Sequence, residues 1–302
     1  MRAIAGSIIG LLWAGALHAQ AYPVRPIRLI VPFVPGGSTT IVARLFGTRL
    51  TDSWGQQVVV DNRGGGNTII GSDALVKAAP DGYTILLVTS THAINPALLK
   101  LPYDSVRDFS PVANVVSTET LLVINNNVAA ANLQELIALA KAKPGQLNFA
   151  SSGTATSNHL AMEMLCIMAG IKMQHIPHKG AGPAVTDLIG GQVQVFTNNA
   201  LPLTPFVKGG RMRAIAISGA KRLQSLPDVP TFAEAGLQGF DGRSWQGILA
   251  PAKTPTALID KLSRELQRIV RTPEVNDQLL TMGADPFYTT PSEFAALIKT
   301  EL

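Results

Sequence analysis

The chain has 302 residues, a formal net charge of +5, a pI near 9.4 and a single cysteine, Cys166. One cysteine excludes an intramolecular disulfide, so the fold rests on its apolar core. Lys and Arg are dispersed without a basic run, which argues against nucleic acid as a partner and for a mildly basic surface that attracts small anions.

Length alone predicts two domains. Residues 1–21 stand apart from them. Arg2 gives a positive start, an apolar stretch follows over 3–17, and Ala19-Gln20-Ala21 makes a small-residue cleavage site. That is the pattern of a secretory signal, and it predicts an exported mature protein. No other apolar run is long enough for a membrane span.

Residues 27–33 form a short apolar run rich in β-branched side chains, which predicts a strand buried on both faces of a parallel sheet. After Pro35-Gly36-Gly37 the period changes to that of a helix, with Val42, Leu45, Phe46 and Leu50 on one face and Ser38 or Thr39 as N-cap. A strand-to-helix turn of this kind leaves backbone N–H groups and partial positive charge facing outward. Two glycines let a ligand approach the backbone, and Ser38, Thr39 and Thr40 add hydroxyls. An anion site and a plain tight turn both fit this stretch by itself.

A second strand is predicted over 57–60, a Gly-rich turn over 61–67, a helix over 72–79 and a third strand over 83–89, together a parallel β-α-β-α-β unit. Its third strand ends in Thr89-Ser90-Thr91-His92, at the same carboxyl edge as the first Gly-Gly loop. Beyond it, 121–124 reads as a strand, and Asn132 with Glu135 caps the next helix. The strand over 147–150 then feeds Ser151-Ser152-Gly153-Thr154-Ala155-Thr156 and a helix that carries His159, so the opening pattern recurs. Strands over 173–176, 193–196 and 213–217 and helices over 183–189 and 203–208 complete the second set. A turn-and-helix element is expected from Leu226, a strand over 244–250, a helix with Pro255 at its first position, a helix over 273–282, and a Thr290-Glu293 capping box on a last helix that begins shortly before Leu302.

Enzyme motifs are scarce. There is no G-x-S-x-G, no P-loop and no G-x-G-x-x-G at the first turn, and no cofactor motif. Ser152 and His159 could mimic a nucleophile and its base, but along a helix start they stand about two turns apart. His175 and His178 fall on opposite faces of a strand with no carboxylate cluster, so a packing role is favoured over a metal site. Asn198 and Asn199 follow a predicted strand, where their amides serve either a ligand or a turn. Cys166 reads as a buried structural thiol.

Seven segments in order, R-P-I-R-L-I-V-P-F-V-P-G-G-S-T at 25–39, D-N-R-G-G-G-N at 61–67, P-D-G-Y-T-I-L-L at 80–87, P-Y-D-S-V-R-D-F-S-P-V at 102–112, H-K-G-A-G-P-A-V-T-D-L-I-G-G-Q-V at 178–193, L-P-D-V-P-T-F-A-E-A-G at 226–236 and T-P-S-E-F at 290–294, resemble the Bug-type solute receptors of tripartite tricarboxylate transporters. The resemblance implies an α/β, two-lobed type II periplasmic-binding-protein (Venus flytrap) architecture. Lobe one is expected over 22–117 plus 244–302 and lobe two over 118–243, hinged near 115–120 and 243–247. It also implies a monomeric periplasmic receptor that closes over a small carboxylate and hands it to membrane permease subunits. The expected ligand-binding set is Phe33, Pro35, Gly36, Gly37, Ser38, Thr39, Thr40, Thr89, Ser90, Ser151, Ser152, Gly153, Thr154 and Asn198. Thr40 stands where the family usually has an acidic residue, which predicts a plain carboxylate over an amino acid. A carboxylate sensor and an exported hydrolase are the rival readings.

Overall fold

The computed structural model describes residues 22–302, so the export signal expected at 1–21 lies outside the described residues. Two mixed sheets with helices make two lobes. In the first, β1 (Ile27–Val31) lies parallel between β2 (Val58–Asn62) and β3 (Thr84–Thr89). Apart from Arg28, its side chains are apolar without alternation because the strand is covered on both faces, by α1 (Ser38–Trp54) on one and α2 (Ile69–Val76) on the other.

The full order of this sheet is β11 (Ala284–Pro286), β4 (Phe109–Thr118), β10 (Ser244–Pro251), β3, β1 and β2. On its main core, Val42, Phe46 and Leu50 of α1 meet Ile259, Leu262 and Leu266 of α8 (Thr256–Val270), all buried. Each such side chain contributes about 1.5–3 kcal/mol over leaving it in water.

The second sheet runs β7 (Gln174–Pro177), β6 (Asn148–Ser151), β8 (Val195–Asn199), β5 (Thr120–Ile124) and β9 (Arg213–Ile217). β6 is parallel to β7 and β8, whereas β5 is antiparallel to both of its neighbours. Around it stand α4 (Leu133–Ala142), α5 (Ser157–Ala169), α6 (Ala181–Ile189) and α7 (Ala200–Lys208). The chain passes from the first sheet to the second between Thr118 and Thr120, and returns before Ser244. α7 bridges the lobes: its Leu201 belongs to the core of the first sheet, and Thr204 Oγ1 donates to Met282 O at 3.3 Å.

Several expectations are corrected. β4 has no counterpart in the sequence reading, and α3 (Thr91–Leu98) begins where only a hydroxyl-rich strand end was expected. Asn198 and Asn199 are the last residues of β8 and do not follow it, because β5 pairs with them through Leu121 and Thr120. From Leu226 the chain makes turns and one bridge from Thr231 to Ile217, without the expected helix. Pro255 is the N-cap of α8 and not its first residue. The Thr290 capping box is present, and its helix, α10 (Pro291–Glu301), runs 11 residues.

Candidate functional site

In each lobe the strands that lead into helices point their carboxyl ends at the gap between the sheets, so the helices that follow begin there. Gly37 and Ser38 start α1 after β1; Thr91 starts α3 after β3. Thr156 and Ser157 start α5 after β6, Ala181 starts α6 after β7, and Asn199 precedes α7 after β8. All seven residues line one cavity of about 30 Å³, room for about two waters with the lobes this close. The Ser157 N–H donates across the gap to Thr91 Oγ1 at 3.3 Å.

These five helix starts share two features. None is capped by the side chain of its own N-cap residue, and none carries an acidic residue in its first turn. Away from the cavity the opposite holds for α4, capped by Asn132 with Glu135 in the first turn, and for α10, closed by Thr290 and Glu293. Helix starts leave up to four N–H groups without partners and carry about half a positive charge. Here those groups are directed at a shared space, and no residue lining that space is ionisable. The cavity is therefore electropositive without a cationic side chain, a setting that takes an anion and disfavours an ammonium group.

Side-chain donors add to the amides. Asn198 is buried, and its Oδ1 accepts the Asn199 N–H at 2.8 Å, which turns its Nδ2 the other way. That Nδ2 has no partner among the described residues. Asn158 Nδ2 donates to Ser152 Oγ and Thr197 O, both at 3.0 Å, and so fixes the Ser152 hydroxyl on the cavity wall.

Three histidines stand behind the 151–157 loop. His175 stacks on His159 with centroids 3.9 Å apart, and its Nε2 is 2.6 Å from Ser151 Oγ. Burial, followed by the neighbouring His159 and His178, brings the His175 imidazole down to about 4. His159 is lowered too, by burial, and its Nδ1 accepts the Ala155 N–H at 3.1 Å. A ring nitrogen that accepts is unprotonated, so this bond needs the neutral imidazole. His178 is tied to Asp187, Nε2 to Oδ2 at 2.8 Å.

Residues 42–302 match the model of the tripartite tricarboxylate transporter family receptor. The chain belongs to that family. BugT of Bordetella pertussis is 37% identical to this receptor over 304 residues, an alignment that covers 98% of this chain and 93% of BugT. Among solved structures, an R. palustris protein with adipate is 30% identical at a TM-score of 0.91, covering 93% of this chain and 94% of its own. MatC from Rhodopseudomonas palustris with bound malate is 29% identical at a TM-score of 0.86, covering 93% and 97%.

Against that site the receptor's expected residues divide. Phe33, Gly37, Ser38, Thr39, Thr89, Ser152 and Asn198 line the cavity. Pro35 and Gly36 form the exposed lip of the first loop, and Gly153, with φ at +146°, shapes the second. Thr40 is buried below its loop, where its Oγ1 accepts from Asn62 Nδ2 at 2.9 Å while the same amide donates to Phe33 O. Ser90 Oγ is bonded to Ser244 Oγ at 2.8 Å. Ser151 ends β6 with its hydroxyl turned to His175, since successive strand residues face opposite ways, and Thr154 is exposed. None of Thr40, Ser90, Ser151 and Thr154 lines the cavity.

Thr91, Thr156, Ser157, Asn158, Ala181, Asn199 and Ser244 line it without having been in the expected set. Thr156-Ser157 just before the His159 helix is an N-cap signal that pointed to α5's start. Ser244 opens a strand beside the lobe crossing and carries no local signal. Ser152 and His159 do not form a dyad, because the first is held by Asn158 and the second by Ala155.

Proposed function

We propose that this receptor works outside the cytoplasm, captures a small carboxylate between its lobes and delivers it to the permease subunits of a tripartite transporter. One observation carries the reading: five helix starts, none capped by its own N-cap side chain and none with an acidic first turn, converge on a cavity with no ionisable wall. Neighbours at 30% and 29% identity solved with adipate and malate support the same ligand class. The export signal read at 1–21 supports the location, and among the described residues no helix is long and apolar enough to cross a membrane.

The mechanism is capture by closure. Lobe one comprises 22–117 and 244–302, lobe two 118–243, and the two crossings between sheets act as the hinge. Open lobes expose the helix starts to water; the acid enters, its oxygens take the amides of α1 and α5, and closure excludes water. Because the donors are fixed by the helices before the ligand arrives, little ordering is needed on binding.

A thermal-shift panel on refolded, ligand-stripped protein tests this. Mono-, di- and tricarboxylates are compared with amino acids and with the matching carboxamides. A carboxylate at a hundred times its dissociation constant adds about 2.7 kcal/mol to stability. Stabilisation by carboxamides or amino acids alone, with every plain acid inert, contradicts the reading.

A further inference from the structure

Gln246 lies in the middle of the first sheet, fully buried, and alone among the described residues it leaves both polar atoms of a buried side chain without a partner. Its neighbours explain where those atoms point. Gln246 pairs with Thr89 on one side and with Val116 on the other, and Ser244 stands two residues earlier on the same strand. Directly paired residues, and residues two apart on a strand, share one face of a sheet. Thr89 and Ser244 both line the cavity, so the Gln246 carboxamide lies on the face of the sheet that they share, at the level of Thr89; Gln246 is not itself a lining residue and stands one layer behind Ser244 and Thr89. Val116 and Leu87, on the same side, belong to the apolar core and offer it nothing.

A buried carboxamide with neither donor nor acceptor used is costly to keep, and it is retained where something else completes it. Among the cavity-lining residues the orphaned amide group, Asn198 Nδ2, only donates and suits a carboxylate oxygen. Gln246 presents Nε2–H and Oε1 side by side, which matches an uncharged group that can donate or accept. We propose that Gln246 is a specificity-determining residue that takes up a hydroxyl on the bound acid, so that the receptor selects hydroxyl-bearing carboxylates over plain ones. This rests on the carboxylate-receptor reading above. The helix starts hold the charged end, which every candidate acid shares, and Gln246 distinguishes among acids by leaving its own atoms unpaired when the hydroxyl is absent.

Calorimetric titrations with matched acids test it: lactate against propionate, malate against succinate, and 2-hydroxyglutarate against glutarate. They are run on ligand-stripped wild-type protein and on Gln246→Met and Gln246→Leu, apolar replacements of similar size whose folding is checked by thermal melting. The wild type binds the hydroxylated member of at least one pair about tenfold tighter or more. In whichever variant melts cooperatively, that ratio falls to about one while the dissociation constant for the plain acid changes less than about threefold. An unchanged ratio in the variants, a wild type that favours plain acids, or equal weakening of both members, the mark of a Gln246 that holds only a water, overturns the proposal. If acids bind with no hydroxyl preference, this inference alone fails; if no acid of either kind binds the wild type, the receptor reading fails and takes it along.

Discussion

Gly36 and Gly182 meet across the cleft: a β-carbon on Gly36 would stand 3.3 Å from Gly182 Cα, and one on Gly182 would stand 2.9 Å from Pro35 O. The first loop of lobe one and the second residue of α6 in lobe two thus touch backbone to backbone when the lobes are closed. Gly182 lies inside a helix, where alanine is intrinsically favoured by about 1 kcal/mol. Gly182→Ala therefore separates stability from function. The unliganded variant melts no lower than the wild type, because its lobes are free to part, while closure now meets a methyl group. Titration of any acid that binds the wild type shows an affinity lower by about tenfold or more, roughly 1.4 kcal/mol.

A second separation comes from charge. Ser38 is the first residue of α1 and lines the cavity. An aspartate there suits the helix dipole and adds about 0.3–1 kcal/mol to α1. The same carboxylate faces the bound anion, and like charges in a closed site cost several kcal/mol. Ser38→Asp is expected to keep or raise the melting temperature and to weaken carboxylate binding by about a hundredfold or more. Unaltered affinity shows that the anion does not use this helix start.

Acid should loosen the fold in two stages. His175 and His92 are held down to about 4 by burial, below their ordinary 6.5, and His159 is lowered as well. Above pH 6.5 these imidazoles are neutral both folded and unfolded, so they add no pH dependence. Between 6.5 and 4 the unfolded chain takes up protons that the folded chain refuses, and stability falls with pH. Below that window the carboxylates take over. Asp61, held low by its hydrogen bonds to Arg28 and Arg63 against the opposing effect of burial, loses its contribution as it protonates. Melting curves from pH 7.5 to 4.5 should fall by several degrees. His175→Phe keeps the stack on His159 and Phe149 and flattens part of that fall. A melting temperature constant across this range contradicts the assignment.

Thr40 offers a test of ligand charge. Its hydroxyl is bonded to Asn62 beneath the loop, in the first turn of α1. Thr40→Asp places a negative charge next to the cavity without entering it, which shifts preference from a plain acid toward the matching amino acid, whose ammonium it attracts, by about severalfold. An unchanged ranking across the panel removes Thr40 from ligand selection.

The sequence was most readable where period and composition agree. The step from 27–33 to the helix after Gly37 was visible because an unbroken apolar run and a helical stripe meet at two glycines. β4 was not, since Phe109–Thr118 holds Pro111 and Asn114. Pro111 is tolerated there because β11 pairs only with Val116, Ser117 and Thr118, which leaves β4 an edge strand at Pro111, next to a register shift against β10. Two of the five helix starts were legible through hydroxyl and glycine signals. That of α3 was not, because Thr91 follows a strand end with no change of period to mark it, and α6 and α7 were expected at 183 and 203, past their actual starts at Ala181 and Ala200.

The most direct test of the account is a crystal structure of the ligand-stripped protein recombined with the carboxylate that stabilises it most. The account predicts carboxylate oxygens within about 3.2 Å of backbone N–H groups at the starts of both α1 and α5, with Asn198 Nδ2 as a further donor. A carboxylate held by a lysine or arginine, or seated outside the space between Gly37 and Thr156, contradicts it.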